Sequence, residues 1–286
     1  MTEPVVIRPA TEADLESIEA VLRAHDDAPP GVPPFPDGAY HSYLRHLLAR
    51  GTVSVAMAGG AIIGFGASID TLRAVHLADL FVLPHAMGEG IGRRLVESVF
   101  PTSTPRTTFA SDDPRAMHLY VGLGMTPLWP NFYLDGLART LPEVDGVELA
   151  SAEWAEVAAL ELQWTGHDRS EDYRVWAERP GNRFFVVRAG GLPVAAGDSR
   201  RRLRGTGRWL PRLIPAPETD PVPATLLAMR HAADEDGVVG ACVMGPNPAL
   251  RPLIVDYGFR IVDRDTFMAT DPSLLDPRGI YDTGIP

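Results

Sequence analysis

Apolar and polar positions alternate along this chain in short runs, and the runs come twice. "VSVAMAGGAIIGFG" at 53–66 reads as strand, turn, strand, with Ala58-Gly59-Gly60 in the turn. "FFVVRAGGLPVAAG" at 184–197 reads the same way around Ala189-Gly190-Gly191. "DPRAMHLYVGLGM" at 113–125 and "NPALRPLIVDYGF" at 247–259 both start with Asp or Asn before Pro. Both continue with helical spacing of apolar residues and end at a glycine, Gly124 or Gly258, as a helix C-cap does. The halves also open alike, "RPATEADLESIEAVL" and "ELASAEWAEVAALEL", with Thr11 and Ser151 where an N-cap belongs. Each half therefore predicts strand, one or two helices, hairpin, long strand, helix, strand, helix, strand. This is a mixed α/β layer architecture in two units. Pro142 and Gly146 in "ARTLPEVDGVEL" break the pattern and set the units at 1–140 and 147–286.

One stretch differs between the copies. "FVLPHAMGEGIGRRLVESVF", 81–100, passes from an apolar run through Gly88, Gly90 and Gly92 into a helical pattern. Glycines there serve either a tight turn or an anion, because the first turn of a helix has unpaired N–H groups and partial positive charge. A gap-free alignment of Val82-Leu83-Pro84 on Leu213-Ile214-Pro215 sets the three glycines opposite Thr219, Pro221 and Pro223. Proline offers no N–H, so "PETDPVPA" cannot cradle an anion with backbone donors. The first half keeps an anion site on this reading, and the second half is a scaffold.

Composition narrows the choices. The chain has 286 residues and a net charge of −11, which argues against nucleic acid and anionic membrane as partners and suits a cationic acceptor. All 26 basic residues are arginine, so neither a Walker A lysine nor a Schiff-base lysine exists. Cys242 stands alone in a strand-like run, which excludes an internal disulfide and points to a buried thiol. The histidines show no metal-ligand spacing, and no metal is expected. No apolar run approaches a membrane span and "MTEPVVIRP" lacks a signal-peptide pattern, so a cytoplasmic protein is expected.

The order of elements, "LADLFVLPHAMGEGIGRRL" and "DPRAMHLYVGLGM" together resemble the GNAT acetyltransferase superfamily. The resemblance covers 5–135, with 147–270 as a degenerate second copy, so the chain looks like a tandem GNAT protein. The family signature Arg/Gln-x-x-Gly-x-Gly/Ala reads here Met87-Gly88-Glu89-Gly90-Ile91-Gly92, with Met87 and Glu89 as departures. The resemblance implies that the anion is the pyrophosphate of acetyl-CoA, held by this loop with help from Arg93 and, less specifically, Arg94. It also implies that Leu80, Phe81 and Val82 offer splayed strand backbone to the pantetheine arm and thioester. Asp113 stands where the family has Asn near the cofactor.

Acetyl transfer to an amine needs a base, because an alkylammonium has a pKa near ~10.4, and a proton for the leaving thiolate. Asp79 is the candidate base, with a plain ion pair as its other reading. Tyr120 matches the family's general acid, with a core tyrosine as its other reading. With no cysteine in the first half, direct attack is expected. Asp26, Asp27, Phe35 and Tyr40, in the Pro-rich 25–47 segment, are candidates for acceptor recognition. The expected acceptor is a small-molecule amine. Protein acetylation and a non-catalytic acyl-CoA sensor stay open, as does a homodimer.

Overall fold

The computed structural model describes residues 4–25, 33–71, 73–101, 104–234 and 237–286. In the first half β1 (Val6–Pro9), α1 (Leu15–Arg23) and α2 (His41–Arg50) precede β2 (Gly51–Ala58), β3 (Ala61–Asp70) and β4 (Val75–Val82). Then come α3 (Ile91–Val99), β5 (Arg106–Ala110), α4 (Pro114–Gly122) and β6 (Thr126–Leu137). The second half repeats the order with β7 (Glu148–Ala152), α5 (Trp154–Thr165), α6 (Ser170–Ala177), β8 (Arg183–Ala189), β9 (Leu192–Arg201) and β10 (Arg208–Pro215). It continues with α7 (Pro221–Ala232), β11 (Val238–Met244), a single π-helical turn at Pro252–Asp256 and β12 (Arg260–Ala269).

Both predicted hairpins form. The turns use Gly59-Gly60 at φ 57° and 77° and Gly190-Gly191 at φ 56° and 82°. Two consecutive positive φ values give the turn a twist that matches its strands, and only glycine adopts them freely. Thr11 caps a short 3-10 turn into α1, trading bonds with Asp14. Ser151 does not cap: it lies in β7 opposite Phe185, and Glu153 holds the N-cap position of α5. Pairing with the hairpin satisfies the Ser151 backbone and delays the helix by two residues. The second helical repeat is also shorter than its pattern suggests, since Pro252 falls inside it and only one turn survives.

A single twelve-stranded sheet runs through both halves, in the order β1-β2-β3-β4-β5-β12-β6-β11-β10-β9-β8-β7. The halves exchange their last strands. β12 enters between β5 and β6, and β6 pairs with β12 and β11, all antiparallel. α1, α2, α5 and α6 share one core on one face, where Ile18, Leu47, Val157 and Tyr173 meet Phe65, Ala67, Val186 and Ala196. α3 and α4 cover the other face of the first half, and α7 that of the second. The alternation along β8, Val186 to one core and Val187 to the other, is the two-sided burial that makes these strands nearly all apolar. Among the described residues no helix is long and apolar enough to cross a membrane.

Candidate active site

β4 is the strand on which the site is built. It pairs with β3 along its length, but Ala78 is an extra residue between Leu77, opposite Ser68, and Asp79, opposite Ala67. This bulge bends the strand. Its parallel pairing with β5 covers only Val75, His76 and Leu77. From Ala78 to Val82 the β4 backbone leaves β5, which turns its other edge to β12. Leu80, Phe81 and Val82 therefore sit on a strand edge with room beside it.

β4 ends at a 3-10 turn, Pro84–Ala86, and the chain enters α3 through Gly90. Gly88 and Gly90 have φ of 87° and 76°, and nothing lies within 4 Å of where a Cβ would stand on either. No side chain caps α3. Its first-turn N–H groups face open space, the condition for an anion to approach. Gly92 is different: it lies inside α3, and a Cβ there would meet only Leu80 Cδ2, at 3.9 Å. Ile91 is buried in the core and Met87 packs on the same cluster, while Glu89 points to solvent. Arg94 donates to the Val5 carbonyl at 3.0 Å. Arg93 makes no hydrogen bond or ion pair among the described residues and lies over Gly122 of α4. Asp113 is the N-cap of α4, its carboxylate held by Arg115.

A cavity of about 600 Å³ opens where β4 leaves β5, and both Asp79 and Tyr120 line it. Asp79 Oδ2 accepts from Tyr43 Oη at 2.7 Å. Burial pushes the Asp79 carboxyl up to about 6, against the Tyr43 hydrogen bond and with the charge of Asp282 adding to the rise. Asp79 and Phe81 share the α1/α2 face, as strand alternation requires, and Phe81 stacks on Phe65. Tyr120, on α4, is 5% exposed, and its hydroxyl has no hydrogen-bond partner among the described residues. Burial raises its phenol, and the charge of Asp79 raises it further. A phenol so placed keeps its proton at neutral pH and can donate it.

Tyr40 lines the cavity. Phe35 does not: its ring packs on Tyr40 at 5.0 Å and under Arg204 of the β9–β10 hairpin at 4.0 Å. Asp26 and Asp27 lie outside the described residues.

The rest of the wall comes from the second half and the C-terminal segment. Arg179, Arg200, Arg201 and Leu203 line it, with Tyr133 of β6, Asp265 of β12, and Asp282 to Gly284. Tyr133 Oη donates to Asp265 Oδ2 at 2.6 Å, and burial lifts that carboxyl to about 6. Arg200 pairs with Asp282 at 2.6 Å. His76 anchors the segment. Its Nε2 donates to the Thr283 carbonyl at 2.9 Å, which leaves Nδ1 to accept from Thr107 Oγ1 at 3.0 Å. Burial holds the ring down at about 4, hence neutral. No periodicity along the chain singles these groups out, and Asp265 reaches the site only because β12 enters the first half's sheet. Among the described residues no cluster of His, Cys, Asp or Glu is suited to a metal ion. Cys242 is buried in β11, opposite Tyr133.

The corresponding region of the second half is built otherwise. Gly66 faces Leu80 and the equivalent Gly197 faces Leu213, so Asp79 corresponds to Arg212, not to Leu210 as the gap-free alignment has it. Arg212 is buried in a bidentate pair with Glu161. The N-cap of α7 is Asp220, which accepts from Val222 N at 3.0 Å. The helix end that is open in α3 is thus already met by a carboxylate in α7. Structurally Gly90 matches Asp220 rather than Pro221, because the strand-to-helix connection is shorter in the second half.

Comparison with known proteins agrees with this fold. Residues 36–140 match the model of the acetyltransferase (GNAT) domain. No curated protein matches the chain in sequence. A proposed acetyltransferase of Pyrococcus horikoshii is similar in fold, with a TM-score of 0.69 at 18% identity over 98% of this chain and 92% of its own. A tandem GNAT protein from the clavulanic acid biosynthesis pathway is similar at TM-score 0.59 and 16% identity, over 94% of this chain and 99% of its own. A GCN5-related N-acetyltransferase from Kribbella flavida is similar at TM-score 0.60 and 16% identity, over 94% of this chain and 71% of its own. At these identities the likeness is one of fold, and residues 36–140 carry the sequence match. The chain therefore carries a GNAT acetyltransferase domain and is an acyltransferase built on that fold.

Proposed function

We propose that the chain transfers an acetyl group from acetyl-CoA to the amine of a small molecule by direct attack, with residues 1–140 as the catalytic unit. The observation that carries this reading is that Asp79 and Tyr120 line one cavity at the point where β4 leaves β5. Bound acetyl-CoA supplies the thioester. The amides around Gly88 and Gly90 and the α3 N-terminus would hold its pyrophosphate, with Arg93 as the nearby cation. The edge backbone from Leu80 to Val82 would hold the pantetheine arm and donate to the thioester carbonyl.

Asp79 takes a proton from the acceptor ammonium, directly or through water. Its raised carboxyl is better matched to this task than an ordinary aspartate and is still ionised at neutral pH. Tyr120 gives its proton to the departing thiolate. Asp79 and Asp265, the wall carboxylates that form no ion pair among the described residues, favour a cationic group of the acceptor. An enclosing wall drawn from both halves suits a small molecule better than a protein chain. Residues 147–286 are a degenerate copy that binds no cofactor and walls the acceptor side.

Release of free coenzyme A from acetyl-CoA, measured over a panel of amines, tests the proposal. Acceptor-dependent release is expected. Tight acetyl-CoA binding with no release for any amine would instead favour a sensor.

A further inference from the structure

Among the described residues, the acceptor cavity holds one cation that the fold does not use. Arg179 follows α6, and its side chain lines both the cavity and a small void beside Asp198. Among the described residues it makes no ion pair and no hydrogen bond through its guanidinium. Its neighbours are engaged: Arg200 holds Asp282 at 2.6 Å, and Arg201 approaches Asp234 at 3.7 Å. Burial lowers the Arg179 guanidinium, and the adjacent Arg200 lowers it further, against the charges of Asp282, Asp198 and Tyr43. A half-buried cation without its own partner is under-used by the fold, and an arriving anion would satisfy it.

Arg179 also has a fixed relation to the candidate base. Tyr43 feels the charge of both Arg179 and Asp79, and donates to Asp79 at 2.7 Å. Cation and carboxylate thus both lie near one phenol and line one cavity. The glycine loop of α3 does not line this cavity, so Arg179 faces the acceptor rather than the pyrophosphate. Phe81, Phe109, Tyr40 and Leu203 complete the wall with apolar surface.

We propose that the acceptor is an aminocarboxylate: its ammonium goes to Asp79, its carboxylate is held by Arg179, and its side chain lies on the apolar wall. This rests on the N-acetyltransferase reading and names the substrate class for the same site. An arginine fork matches a carboxylate with two parallel hydrogen bonds, which a simple amine cannot use.

The test compares each of the common amino acids, β-alanine and γ-aminobutyrate with its decarboxylated amine, by coenzyme A release at saturating acetyl-CoA. For the best acceptor the carboxylate form should be preferred. Arg179→Gln should lower kcat/KM for that acid on the order of 10²-fold, mainly through KM, and leave its amine within about 3-fold. Arg179→Lys should recover part of the loss, and the melting temperature of Arg179→Gln should not fall, since its guanidinium makes no hydrogen bond or ion pair among the described residues that the fold would lose. An amine preferred by the wild type, or an equal change on both members of a pair, would overturn the proposal while leaving the transferase reading intact. If nothing releases coenzyme A, the transferase reading fails. Calorimetry of the same pairs on the coenzyme A-loaded chain then decides the inference. Carboxylate-dependent binding lost in Arg179→Gln upholds it, and no such binding overturns it.

Discussion

Two side chains carry the proposed chemistry, and each predicts a measurement. Asp79 acts as a base only when ionised, and its carboxyl is pushed up to about 6 chiefly by burial. The acid limb of kcat/KM should therefore lie near that value, with activity rising as pH rises through it, and Asp79→Asn should remove the limb along with most of the rate. The stability effect runs the opposite way. The native state holds this proton more tightly than the unfolded chain, so Asp79 stabilises the fold at pH values below its unfolded pKa. That contribution is lost as pH rises toward about 6. A pH profile from 5 to 8 with no inflection near 6 would remove Asp79 from the mechanism. Tyr120→Phe keeps the ring that packs with Met125 and Val96 and removes only the proton. Its kcat should fall roughly 10²-fold or more with acetyl-CoA affinity little changed. Equal rates would return Tyr120 to the core. Both residues were legible in the sequence, Asp79 by strand alternation and Tyr120 by its motif. Tyr43, the residue that holds Asp79, was not legible in that role, because nothing in the one-dimensional pattern brings α2 over β4.

At the scale of elements, the bulge at Ala78 and the open end of α3 do the positioning. The bulge frees the β4 edge, and the positive φ of Gly88 and Gly90 turns the chain so that the first amides of α3 face outward. Gly90→Pro imposes φ near −65° where the native value is 76° and removes a donor. Acetyl-CoA affinity should be lost, while circular dichroism shows the fold retained. Unchanged affinity in a folded variant would refute the pyrophosphate assignment. Three alternating glycines were a visible signal, but only two of them answer to a conformational need, since Gly92 is ordinary helix. The contrast with the second half was also visible, although its physical basis differs from the expected one. In space Asp220, not a proline, stands in the place of Gly90, and its carboxylate closes the α7 end. A cap already in place leaves no N-terminal site for phosphate.

For the whole molecule, the asymmetry of the halves predicts one acetyl-CoA per chain. Calorimetric titration should give a stoichiometry near one, and two equivalent sites would show that the second half binds phosphate by another route. The strand exchange makes a second prediction. A fragment ending at residue 140 loses β12 from the edge of β5 and both neighbours of β6. Open strand edges aggregate, so the fragment should not yield a folded monomer alone, and co-expression with residues 141–286 should restore solubility. A soluble, cooperatively melting fragment 1–140 would contradict this. A further tie crosses the same boundary: His46 of α2 meets Asp172 of α6 at 2.6 Å.

The sequence by itself determined what depends on neighbours along the chain: the hairpins with their Ala-Gly-Gly turns, the amphipathic faces, the two-fold repeat, and the loop that opens α3. Backbone conformation and burial periodicity are local, so they leave a readable pattern. The tertiary structure alone decided the rest. Strand order between distant segments is set by which edges close on each other, and no periodicity encodes that β12 enters between β5 and β6. With that crossing and the packing of α6 on the shared core, Asp265, Asp282 and Arg179 come to line one cavity with Asp79 and Tyr120, and an acceptor pocket forms from residues far apart in the chain.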